Sequence, residues 1–64
     1  MAIKKAITNY LDAVEQVHGV SVRQQTTVEH REGTDLVIRK GKKAPQLIDL
    51  GTLLNLTHSL KSYA

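Results

Sequence analysis

Between Ile3 and Val17 the apolar side chains fall at Ile3, Ile7, Tyr10, Val14 and Val17. A 4-3-4-3 spacing puts all five on one stripe of an α-helix and on no single face of a strand. Ala6, Leu11 and Ala13 widen the stripe, while Lys4, Lys5, Thr8, Asn9, Asp12, Glu15 and Gln16 cover the opposite side. His18 supplies a cation for the last turn and Gly19 a residue at ease in the left-handed region, so a helix is predicted over about residues 2 to 18.

Beyond Gly19 the period changes to two. Val20, Val22, Gln24, Thr26, Val28 and His30 alternate with Ser21, Arg23, Gln25, Thr27, Glu29 and Arg31, which predicts a strand with one buried face. Gly33 marks a turn, and Leu36 to Lys40 reads as the returning strand. A loop of Arg31, Glu32 and Gly33, with Gly33 left-handed, pairs Val28 with Leu36 and Thr26 with Ile38. A slip of one residue turns Leu36 and Ile38 to the wrong face. Pro45 to Leu50 reads as a short third strand, with Ile48 and Leu50 facing inward, or as the opening turn of the last helix with Pro45 early in it. Asp49 is a good N-cap and Gly51 a poor interior residue, so the last helix is predicted to begin near Leu50. Its apolar half holds Leu50, Leu53, Leu54, Leu56, Leu60 and Tyr63, against Thr52, Asn55, His58, Ser59 and Ser62.

These elements assemble into a small single-domain α+β fold over residues 1 to 64: helix, antiparallel hairpin with an optional third strand, helix, both helices on one sheet face. The other face carries Arg23, Gln25, Thr27, Glu29 and Arg39. The order resembles that of the small head-to-tail joining proteins of tailed bacteriophages. That resemblance concerns element order only and implies a protein–protein assembly role in a phage setting, with no residue carried across.

With 64 residues and no cysteine, the chain has neither a large core nor disulfides or sulfur-held metals to make up for it. Its apolar stock is aliphatic, eight Leu, four Ile and six Val against two Tyr and no Phe or Trp. Two apolar helical faces exceed what one short sheet covers, so a partner is expected, as a homodimer or a different protein. Leu53, Leu56, Leu60 and Tyr63 are the predicted oligomer interface. No stretch reaches the length and apolarity of a membrane span or a secretory signal, which places the expected compartment in the cytoplasm or inside a particle.

The densest charge is Arg39-Lys40-Gly41-Lys42-Lys43, four of the nine basic residues in five positions, in a chain of net charge +3. Read functionally, a mobile turn offers Arg39, Lys40, Lys42 and Lys43, aided by Arg23, to an acidic protein or to phosphates. Read structurally, the same lysines keep a strand end from aggregating. Single-strand binders usually add aromatic stacking platforms, and Tyr10 and Tyr63 occupy apolar helical positions instead.

Chemistry of other kinds finds little material. His18, His30 and His58 are too dispersed for a local metal motif, so no metal or cofactor is expected. There is no Gly-x-Ser-x-Gly elbow, Gly-rich phosphate loop or paired carboxylate site, and a chain this small seldom forms a pocket of several hundred Å³. The expected function is therefore a non-enzymatic protein-binding module, an assembly component or a modulator of a larger machine. The alternative is a nucleic-acid-binding regulator working through the basic turn.

Overall fold

A computed structural model describes residues 2 to 63, excluding the side chain of Ala2. Six elements follow in order: α1 (Ala2–His18), α2 (Val20–Gln25), β1 (Thr26–His30), β2 (Asp35–Lys40), β3 (Gln46–Asp49) and α3 (Leu50–Lys61). The strands form one antiparallel sheet in the order β1-β2-β3. The fold is the predicted small α+β domain, with the helices covering the sheet.

Helix α1 has the predicted bounds, and its stripe is what it buries. Ala6, Tyr10 and Val14 join Leu36 and Ile38 of β2 and Leu53 of α3 in a single core cluster. Ile3, Ile7, Leu11, Val28, Ile48, Leu50, Leu56 and Leu60 pack around it, partly buried. The two long helices pack against each other as well as on the sheet. Much of the apolar width that the sheet cannot cover is hidden between them.

The segment from Val20 to Gln25 corrects the sequence reading, for it is a short helix and not a strand. The hairpin register explains why. Thr26 pairs with Lys40, so residues 20 to 25 would need β2 to continue past Lys40, where the chain instead turns toward β3. Without a ladder partner their backbone groups are satisfied locally, by a helical turn. Arg23 reaches back to α1 at Asp12 Oδ1 (2.8 Å) and Glu15 Oε1 (3.0 Å). No residue of α2 is buried, so the alternating valines had no face to fill.

Gly19 separates the two helices at φ 96° and ψ 170°. That combination is essentially restricted to glycine. A Cβ there would meet nothing within 4 Å, so the cost of a substitution is backbone strain alone. Gly19→Ala is expected to lower stability by about 1–3 kcal/mol, read from the urea midpoint, with no repacking of the core. An unchanged midpoint would show that the α1–α2 corner relaxes without penalty.

The hairpin register also differs from the predicted one. Val28 pairs with Ile38 and His30 with Leu36, across a four-residue connection in which Gly33 is left-handed at φ 57°. The Arg31 amide donates to the Asp35 carbonyl (2.8 Å) and the Asp35 amide to the Glu32 carbonyl (2.9 Å). The offset is two residues, an even number, so Leu36 and Ile38 still point into the core. Of the two alternatives after Pro45, the third strand is realised. Asp49 caps α3, its Oδ1 accepting from the Thr52 amide at 2.7 Å, and this bond holds the carboxyl below its ordinary value.

Candidate functional site

A cleft of about 580 Å³ opens between the C-terminal halves of α1 and α3, α2 and the β2–β3 turn. So small a chain seldom forms such a space. It forms here because α1 and α3 meet tightly through Leu53 while their later turns leave a groove, walled by α2 on one side and Tyr63 on the other.

The floor is apolar. Tyr10 and Val14 contribute buried surface, Leu56 and Leu60 are half-buried, and Val22 and Tyr63 are exposed, Tyr63 at 80%. The mouth is basic, with Lys40, Lys42 and Lys43 on the turn and His18 at the end of α1. Among the described residues no carboxylate side chain lines it. Both α1, ending at His18, and α3, capped at Ser62, finish beside the cleft, each with about half a negative charge. Three lysines outweigh them, leaving the mouth positive by about two charges.

The basic turn, expected to be mobile, is tied down twice. The Gly41 amide donates to the Gln25 carbonyl (2.8 Å), and the Lys43 amide donates to the Lys40 carbonyl (3.0 Å). The first of these bonds joins the turn to α2, so wall and rim form one continuous surface.

The predicted contact residues separate into three groups. Lys40, Lys42 and Lys43 gather on the rim. Arg39, one residue away in a strand, points to the opposite sheet face beside Val37 and Leu47. Arg23 is engaged by Asp12 and Glu15, and its guanidinium is held in the charged form chiefly by the Glu15 hydrogen bond. The predicted oligomer interface divides as well. Leu56, Leu60 and Tyr63 line the cleft, but Leu53 is fully buried within its own chain and has no surface to offer a second one. Sequence reasoning missed Val14 and Val22 as parts of the cleft. Thr57 is buried with its hydroxyl donating to the Leu53 carbonyl at 3.0 Å, a bond a buried helical threonine can make to its own preceding turn.

The histidines lie apart. His18 is at the cleft, His30 Nε2 is 2.7 Å from the Gly33 carbonyl oxygen within the hairpin, and His58 is exposed on α3. Among the described residues no cluster of three metal-ligating side chains occurs, and no helix is long and apolar enough to cross a membrane.

Burial raises the Tyr10 phenol above its ordinary value of 10.0. The unfolded chain ionises first, so this stabilisation is complete below about pH 10 and is lost as pH rises through the higher folded value. Tyr10→Phe is expected to flatten the alkaline limb of a plot of urea midpoint against pH. Parallel limbs for variant and wild type would exclude Tyr10 as their source.

No protein-family model, curated protein or solved structure matches the chain.

Proposed function

We propose that this chain is a non-enzymatic protein-binding module whose cleft receives a helical segment of a partner, apolar along one face and acidic at one end. The observation that carries this reading is the joining of an apolar floor and a three-lysine rim in one open groove. A groove between two helices matches the ridges of a third, and helix-in-groove recognition uses a few apolar anchors at helical spacing. Acidic residues at the segment's end complement the rim and orient the segment in the groove.

The second reading, contact with phosphates, keeps Lys40, Lys42 and Lys43 but loses Arg39 and Arg23. Three phosphate contacts give a salt slope of about −2.7, or roughly a 40-fold loss between 50 and 200 mM salt. A segment held mainly by Leu56, Leu60 and Tyr63 responds far less.

Selection from a random peptide library on the immobilised protein tests the reading. Enriched peptides should show apolar residues at i, i+4 and i+7 with flanking Asp or Glu. Selection of peptides without that pattern, or duplex binding at micromolar strength with the steep salt slope, would replace it with another.

A further inference from the structure

We propose that the open face of the sheet is a self-association surface that pairs two copies of this chain about a two-fold axis. It lies on the side of the sheet away from the cleft's helices and is independent of the partner reading above.

Side chains alternate along strands, so with Leu36 and Ile38 turned to the core, Asp35, Val37 and Arg39 of β2 lie on the other face, where Asp35 and Arg39 are exposed and Val37 is buried beneath its neighbours. Register places Glu29, Val37 and Leu47 in one row across the three strands, with Asp35 beside Asp49 at one end and Arg39 beside Thr27 at the other. Leu47 is 71% exposed in the middle of an edge strand, the most exposed large aliphatic side chain among the described residues. It borders a hollow of about 490 Å³ over Val37, with Arg31, Glu32 and Asp35 toward one end and Arg39 and Pro45 toward the other.

A knob beside a hollow, with opposite charges at similar offsets on either side, is self-complementary. An axis running across the strands at the level of Val37 and Leu47 brings the two Leu47 side chains together over the hollows. The same operation lays the Arg39 end of each copy on the Asp35 and Asp49 end of the other. Residues i and j then meet twice, the signature of an isologous contact. Glu29 of β1 and Arg31, just beyond the strand's end, carry charges that sum to zero. Three strands about 4.8 Å apart and four to six residues long give a face of roughly 300 Å² per copy, an area of weak association. A foreign partner has no reason to mirror this arrangement; a second copy does so automatically.

Sedimentation velocity from about 10 μM to about 1 mM, the range where weak dimers populate, tests the pairing. The wild-type chain should shift from monomer toward dimer. Leu47→Lys should weaken association at least tenfold while leaving the thermal melt unchanged, since Leu47 is exposed. Arg39→Asp and Asp35→Arg should each weaken it alone, and an equimolar mixture of the two variants should restore it, because the mixed pair regains both charge contacts. A monomer throughout, an association indifferent to Leu47→Lys, or a mixture no stronger than its components would each overturn the proposal.

Discussion

Leu53→Ala is expected to be the most damaging single substitution tested in this chain, lowering stability by about 3–5 kcal/mol. Leu53 has no exposed surface and stands where α1, β2 and α3 converge, touching the cluster of Tyr10, Val14, Leu36 and Ile38. A domain of this length has only about 3–10 kcal/mol in total, so the loss removes a large share of it. For so small a domain each kcal/mol shifts the melting temperature by roughly 4–8 °C, and the midpoint should fall by at least about 10 °C. Leu54→Ala is the matched control. Its side chain, one position along the same helix, is 52% exposed and should change the melt little. Equal effects from the two substitutions would mean that α3 is rotated from the described orientation.

The second large effect is on binding, and it leaves the fold intact. Lys42→Glu with Lys43→Glu is expected to weaken a selected acidic peptide by about tenfold to a hundredfold. An exposed ion pair contributes about 0.2–1 kcal/mol, and charge reversal replaces attraction with repulsion of similar size at both positions. Tyr63→Ser should weaken the same peptide without moving the melt, because Tyr63 is 80% exposed and only borders the cleft. Peptides with Lys in place of Glu should bind the reversed variant better than the wild type. Affinity that is unchanged in both variants would separate peptide binding from the cleft altogether.

Legibility in the sequence followed the range of the interactions involved. Helix α1, the Asp49 cap and the left-handed Gly33 rest on neighbours within a turn or two, and the residues themselves announce them. The stretch from Val20 to Gln25 was misread because period-two valines describe a strand only where a ladder partner exists, and the position of the Gly41 turn denies it one. The hairpin missed its register by two residues because pairing His30 with Thr34 or with Leu36, with three or five residues between them, places Leu36 and Ile38 inward either way. Apolar patterning cannot tell them apart; the amide bonds between Arg31, Glu32 and Asp35 can.

The cleft was only half legible. Its lysines were conspicuous as a run, and Leu56, Leu60 and Tyr63 were marked as surplus apolar surface. Their meeting in one groove depends on four segments separated by up to about fifty residues, which no local pattern encodes. The same limit applies to Arg39 and Arg23. In the linear chain both belong to the basic set, but strand alternation sends Arg39 to the far face, and the helical course of α2 delivers Arg23 to Asp12 and Glu15.

The central claim is that the groove between α1 and α3 is where a partner docks. Titration of the ¹⁵N-labelled chain with a selected acidic peptide, followed by two-dimensional NMR, tests it most directly. Amide shifts are expected to concentrate at Val14, His18, Val22, Leu56, Leu60, Tyr63 and the Lys40–Lys43 turn, leaving Glu29, Arg39 and Leu47 unmoved. Shifts centred on the sheet face, or spread evenly over the chain, would contradict the account.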